Sequence, residues 1–305
     1  MIKRIASVDI GTNTVLMLVA DIENNNLIKI TEKFDVARLG EDVDKTGIIK
    51  QSAIERTKNI LVQNKEICKS LNVEKVIAVG TSALRDALNS KDVLMELSNA
   101  LGSDIRVIDG SEEAALSFLG TVLDGEPSMV IDIGGGSTEI IIGCGDRIIE
   151  KISLQVGAVR LTERFFKHIH PPHSDDIDNA TEYISKLLAD SNILSDYKKV
   201  YAVAGTATTL ATTALGLADN EVDAANGYIL SDDKLNLIYE LYKSTSISDI
   251  ETKLKVHPRR ADLILSGALI LKLIVGHFNI KQLIVSSHGL RYGILYDFIK
   301  NPYKW

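Results

Sequence analysis

The sequence is poor in the features that mark secreted, membrane-spanning or nucleic-acid-binding chains. It has only two cysteines, Cys68 and Cys144. They lack metal-ligand spacing, and no disulfide framework is expected of them, which points to a reducing, cytoplasmic setting. Proline is scarce, at 5 residues, so long linkers and disordered tails are not expected. Positive charge is in deficit, with a formal net charge of -7. That balance does not suit a non-specific nucleic-acid binder, although a local basic cleft can hold a polyanion inside an acidic field. A membrane-spanning run is also missing. The most apolar stretch, Ala261 to Phe278, contains Asp262, Lys272 and His277 and reads as a buried helix. The start, Met1-Ile2-Lys3-Arg4-Ile5, runs directly into a strand pattern with no leader-like apolar region before it.

What is present is an internal repeat. Val8-Asp9-Ile10-Gly11-Thr12-Asn13-Thr14 precedes an apolar strand, and Ile131-Asp132-Ile133-Gly134-Gly135-Gly136-Ser137-Thr138-Glu139 does the same much later. Each second strand ends in a turn and leads to a third, Leu27 to Ile30 in one case and Arg147 to Glu150 in the other. Two three-stranded meanders therefore sit in two halves of one chain. Helical periodicity follows over Ile48–Leu71, Asp92–Leu101, Ala158–His168, Ile177–Leu188, Thr208–Leu215, Asp232–Lys243 and Arg259–Phe278. Further strands are expected at Val76–Val79, Ile105–Ile108, Lys199–Ala204 and Gln282–Ser286. Strands alternating with helices make this an α/β chain. The 305 residues suffice for two modest domains. They divide as 1–124 and 125–305 at the turn-rich stretch Leu123–Pro127, with the segment from about 290 to 305 able to cross back onto the first.

Each repeated turn offers backbone N–H groups with little side-chain obstruction, the makings of an anion-binding nest. Asp132 ends a buried strand beside such a turn, and a carboxylate beside a phosphate makes sense chiefly with a bridging cation, usually magnesium. A plain hairpin with a solvated Asp is the alternative; two matching turns favour the phosphate clamp. Glu112 and Glu113 lie in the first turn of a helix, where acids are favourable on dipole grounds alone, so sequence physics does not choose between that role and a general base. Arg85 could bind phosphate bidentately, but taken alone a salt bridge with Asp86 or a neighbour is the simpler account. Gly205 and Thr206 open a helix after a buried strand and suit an anion or a tight capped turn equally. The basic run Lys253, Lys255, His257, Arg259 and Arg260 reads as a solvated helix start or as a polyanion path. His168, His170 and His173 read as a polar loop and not a metal site.

Taken together, these motifs resemble one family closely, the exopolyphosphatase/guanosine pentaphosphatase phosphatases. The resemblance runs nearly end to end. It is carried by Asp9–Thr14, Thr81–Ala87, Gly110–Ala114, Asp132–Glu139, Gly157–Thr162, Ala204–Thr209, Arg260-Ala261-Asp262 and Ser287–Gly293. It implies two actin-like (ribonuclease H-like) domains with the active site in a cleft between them. It implies an enzyme that removes the terminal phosphate from inorganic polyphosphate or guanosine pentaphosphate; a non-catalytic polyphosphate or alarmone sensor and an actin-like kinase are the other readings. Glu113 would then activate water and Arg85 face the phosphates. Gly11, Thr12, Asn13 and Thr14, with Gly134, Gly135, Gly136, Ser137 and Thr138, would be the two phosphate loops, joined by Gly205 and Thr206. Asp132, Glu139 and Asp9 would serve a divalent metal. The implied cofactor is Mg2+ or Mn2+, with K+ as a further candidate cation, and the implied partner is polyphosphate or guanosine pentaphosphate/tetraphosphate, with a homodimer as a candidate assembly. Leu16 departs from the family pattern, since several relatives carry His or Arg there. The sequence stops at Trp305 where longer relatives continue into helical domains, which weighs against high processivity and long-chain preference.

Overall fold

A computed structural model describes residues 3–166, 170–191, 193, 196–218 and 221–305. The chain divides into two compact units. The first runs to Gly120 and resumes at Gly289–Trp305; the second is Thr121–His288.

The first unit is built on β1 (Lys3–Ile10), β2 (Thr14–Glu23), β3 (Asn26–Val36), β4 (Lys75–Gly80) and β5 (Ile105–Val107). They form one sheet in the order β3-β2-β1-β4-β5. The meander β1-β2-β3 is antiparallel, whereas β1, β4 and β5 run parallel. Strand period decides which residues face which layer. Ala6, Val8 and Ile10 pack with Leu61, Cys68, Val93 and Leu97 from helices Gln51–Ser70 and Ser90–Leu101. Ile5, one step out of phase, packs with Leu116 and with Leu290, Tyr292, Ile294 and Phe298 on the opposite face. Helix Leu290–Lys300, whose glycines Gly289 and Gly293 hide its period in the sequence, thus belongs to the first unit's core. It lies almost backbone to backbone against helix Gly110–Thr121. A Cβ on Gly293 would stand 1.7 Å from the Leu116 carbonyl oxygen, and one on Gly120 would stand 2.0 Å from that of Gly289.

The second unit contains β6 (Ser128–Ile133), β7 (Thr138–Cys144), β8 (Arg147–Leu154), β9 (Lys199–Val203), β10 (Ile229–Ser231) and β11 (Gln282–Val285). Their order is β10-β11-β9-β6-β7-β8. From the meander inward the series is the same as in the first unit: third, second and first strand, then two parallel ones. The short β10 is an addition, antiparallel to β11. Both units are mixed-sheet α/β domains of one plan.

Some expected elements change form. The stretch 158–168 is a short α-helix, Ala158–Leu161, that widens into a π-helix over Thr162–Phe166, and His168 lies outside the described residues. Thr162 marks the change: its hydroxyl reaches both the Ala158 carbonyl (2.7 Å) and the Ser266 hydroxyl (2.6 Å). The long apolar helix is broken into Pro258–Ala261 and Ile264–His277. Helix Ala204–Leu215 starts before Thr208, so Gly205 and Thr206 lie in its first turn. Among the described residues no helix is long and apolar enough to cross a membrane.

Substitution Gly293→Ala is expected to force the two helices of the first unit apart and to lower unfolding stability by at least about 1–3 kcal/mol, the ordinary cost of overpacking. Urea denaturation followed by circular dichroism measures it; an unchanged midpoint would contradict the packing described.

Candidate functional site

In the first unit the parallel strands end level, with Ile10 in register with Gly80 and Gly80 with Val107. Ligands of open α/β sheets bind outside such carboxyl ends. The first segment to leave this edge is the turn after β1. Gly11 N–H donates to the Thr14 carbonyl (2.9 Å), closing the loop. Asp9 sits one residue before the strand end, opposite Leu16. A brace follows β3: Ala37 and Arg38 N–H donate to the Asn13 carbonyl (3.0 and 2.9 Å), and Gly40 N–H to that of Thr12 (2.8 Å). A Cβ on Gly40 would stand 2.3 Å from Thr12 Cγ2, so only glycine lets the brace lie flush.

The next two segments supply the charged pair. After β4 comes the short helix Ser82–Asp86, and after β5 the helix Gly110–Thr121. Asp109 anchors the latter, its Oδ1 accepting Glu112 N–H at 2.8 Å. Arg85 Nη1 donates to Glu113 Oε2 and to the Ile108 carbonyl, both at 3.1 Å. Asp86 is more distant, 3.8 Å from Nε. The two neighbouring glutamates are thereby separated. Glu112 turns away and takes a fork from Arg106 (2.7 and 2.9 Å) and a contact from Lys304 (2.9 Å). Burial works against its charged form, but those two cations prevail and hold the carboxyl below its usual range. Among the described residues Thr12 Oγ1, Asn13 Oδ1 and Arg85 Nη2 are buried and make no hydrogen bond. Unsatisfied buried polar atoms each cost about 1–3 kcal/mol, and a polar ligand at this edge relieves that cost.

The second unit repeats the edge with different side chains. Gly134 N–H donates to the Ser137 carbonyl at 3.0 Å. Asp132 faces Glu139 across the hairpin, where the first unit has Asp9 facing Leu16. Glu139 is buried, and its Oε1 accepts the hydroxyl of Ser153, its neighbour on β8, at 2.7 Å. The brace recurs: Ala158 N–H donates to the Gly134 carbonyl (2.9 Å), and Val159 and Arg160 to that of Gly135 (2.9 and 3.1 Å). A Cβ on Gly157 would stand 2.5 Å from the Gly135 carbonyl. Val203 is level with Asp132, and beyond it Ala204 adopts φ 67, an unusual conformation for a residue with a Cβ. Arg260 is buried against this turn: its Nη1 donates to Thr209 Oγ1 (3.1 Å), and a Cβ on Gly205 would stand 2.6 Å from its Nη2.

The sequence pattern of the Ppx/GppA phosphatase family matches residues 18–302. The chain belongs to that family. It is 32% identical to "Exopolyphosphatase 2" of Mycobacterium tuberculosis over 96% of this chain and 98% of that one. It is 29% identical to the "Guanosine-5'-triphosphate,3'-diphosphate pyrophosphatase" of Vibrio cholerae, over 97% of this chain but 59% of that protein. It spans about half (46%) of the "Bifunctional 3-dehydroquinate synthase/phosphatase" of Fusobacterium nucleatum, at 30% identity over 97% of this chain. Among solved structures, the Aquifex aeolicus family member superposes with a TM-score of 0.82 at 30% identity, over 99% of both chains. An exopolyphosphatase from Cytophaga hutchinsonii superposes with 0.88 at 27% identity, over 98% of both.

In this Ppx/GppA chain the other sequence candidates disperse. Lys253 pairs with Asp249, Lys255 donates to the Gly216 carbonyl, His257 Nδ1 accepts Arg259 N–H, and Arg260 reaches Thr209 Oγ1. His170 Nε2 meets the Thr245 carbonyl at 2.8 Å, and burial pushes its pKa down. Among the described residues no group of three or more His, Cys, Asp or Glu is arranged to hold a metal. The braces 37–40 and 157–160, the cap Asp109 and the burial of Arg260 were missed by the sequence reading. Asp109-x-x-Glu112 could have been found as a capping signature; the braces act through backbone atoms and leave only their glycines as a trace.

Because Glu112 is more acidic in the folded chain, it contributes stability above the unfolded carboxyl range that is lost as pH falls through its lowered folded pKa. Thermal unfolding of Glu112→Gln against wild type should show a deficit at pH 7 that begins to shrink only below the unfolded carboxyl range and closes as pH falls through the lowered folded pKa. A deficit independent of pH would refute the assignment.

Proposed function

We propose that this chain is an exopolyphosphatase that hydrolyses the terminal phosphoanhydride of inorganic polyphosphate, with Glu113 preparing the attacking water. The observation that carries this is the Arg85–Glu113 pair, held at 3.1 Å by the segments that follow β4 and β5. A carboxylate oriented by a guanidinium can accept a proton from water, while the guanidinium's remaining donors suit phosphate oxygens. Phosphoryl transfer asks mainly for such positioning and for neutralised charge. The full-length relative in Mycobacterium tuberculosis bears the name of this activity.

Asp132, Glu139 and Asp9 offer hard oxygen donors of the kind Mg2+ or Mn2+ takes, and Mg2+ characteristically uses one or two carboxylates plus substrate phosphates, without a full protein cage. The facing pair Asp132 and Glu139 fits that demand. When bound, the cation would supply charge neutralisation on phosphate oxygens. Each turn, Gly11–Thr14 in the first unit and Gly134–Thr138 in the second, would offer N–H donors to phosphate oxygens, and in the second unit Gly205 and Thr206 would add a helix start.

Phosphate release should be measured side by side on short polyphosphate, long polyphosphate and guanosine pentaphosphate with Mg2+. Polyphosphate turnover is expected; turnover of guanosine pentaphosphate alone would establish the reading suggested by the Vibrio cholerae relative. Glu113→Gln should lower kcat by roughly 10²–10⁴-fold while tripolyphosphate still binds; retention of wild-type rates would remove Glu113 from the role. Asp132→Asn should raise the Mg2+ concentration needed for half-maximal rate, and an unchanged requirement would count against its part in holding the cation.

A further inference from the structure

The helix that carries Glu113 packs through glycines at its far end and is held by charge at its near end. Helices Gly110–Thr121 and Leu290–Lys300 run antiparallel: Gly120 meets Gly289, and one turn nearer the start of the first helix Leu116 meets Gly293. A further turn brings Glu112 level with Asp297, and two carboxylates brought together there repel. The ammonium of Lys304 lies between them, 2.9 Å from Glu112 Oε1 and 2.7 Å from Asp297 Oδ2. Burial disfavours that ammonium, but the two carboxylates prevail and raise its pKa above the ordinary value. Trp305 completes a ring of contacts. Its Nε1–H donates to Asp297 Oδ2 at 2.9 Å, and the Arg106 guanidinium, which forks onto Glu112, lies 4.3 Å from the centre of its indole. Lys75, from β4, donates to the Trp305 carbonyl. An isolated surface ion pair is worth little, but here the charges form a closed network that ties the first helical turn to β4, β5 and the segment 301–305. Successive helical residues project about 100° apart. A turn whose Glu112 is held toward Arg106 and Lys304 therefore presents Glu113 in another direction, where Arg85 meets it at 3.1 Å.

We propose that Lys304 is a positioning residue for Glu113: by bridging Glu112 to Asp297 it fixes the rotation of the first helical turn and keeps Glu112 from competing for Arg85. The proposal rests on the reading of Glu113 as the residue that prepares the attacking water.

Lys304→Met keeps the aliphatic stem and removes the bridge. Its Tm should fall by no more than about 2–4 °C, as for a surface ion network. With tripolyphosphate and Mg2+, kcat should drop about tenfold, within the roughly 10²-fold that misplacing a reacting group by about 1 Å costs, while KM stays within about twofold. Lys304→Arg, whose fork can span both carboxylates, should recover most of the rate. Added to Glu113→Gln, Lys304→Met should lower kcat no further, since the residue it positions is gone. Wild-type kcat in Lys304→Met, or an equal further loss in the Glu113→Gln background, would overturn the proposal. Hydrogen–deuterium exchange over residues 110–116, read by mass spectrometry, needs no turnover: it should quicken about tenfold in Lys304→Met and return toward wild type in Lys304→Arg. A wild type that releases no phosphate sinks the proposed activity, and exchange then decides whether Lys304 holds the turn, with unchanged rates overturning it.

Discussion

The site candidates of this chain depend on one hydrogen bond made twice: a glycine N–H at a strand end donates to the carbonyl three residues on. Gly11 bonds Thr14 and Gly134 bonds Ser137, at 2.9 and 3.0 Å. Such a closure makes the hairpin tight enough that Asp9 and Asp132 stay on regular strand positions immediately before it. It also turns the carbonyls of the loop outward from the ladder, where they need partners of their own. The braces answer that need, and each then fixes the turn from a third strand that is far from it in sequence. Without the closing bond the brace has nothing to grip, and without the brace the turn's carbonyls are orphaned.

On this shared scaffold the two units have become different. The position opposite the aspartate is Leu16 in one and Glu139 in the other. The first unit carries an acid with its guanidinium, Glu113 and Arg85; the second carries two facing acids and a buried guanidinium at a helix start, Arg260. Duplication supplied the braced glycine turn, and substitution at equivalent points gave the two units different side chains around it. A single unit has either the oriented carboxylate with its arginine or the facing carboxylates, never both.

Much of this plan was legible in the sequence because its signals are side-chain signals. The Asp-Ile-Gly repeats located both meanders. Residue physics left the choice between Glu112 and Glu113 open, since both sit in one helical turn, and only the resemblance pointed to Glu113; what sets the two apart in the fold are Arg106, Lys304 and Arg85, which arrive from elsewhere. Helix Leu290–Lys300 was obscured because close backbone packing demands the very glycines that argue against a helix. The break before Ile264 was hidden by a continuous apolar period; it lets Arg260 turn inward to Thr209 while Ile264 and Leu265 stay in the core.

The discontinuity of the first unit has a consequence for biosynthesis. Its sheet and most of its helices come from the first 120 residues, but the layer that covers Ile5, Leu18 and Ile77 is completed only by helix Leu290–Lys300. As the chain leaves the ribosome, the N-terminal segment must wait, with that apolar face of its sheet only partly covered, while the whole of Thr121–His288 is made. The later-translated domain can finish folding first. The earlier one then closes around a segment almost three hundred residues away, an assembly order that exposes nascent chains to chaperone capture on that face.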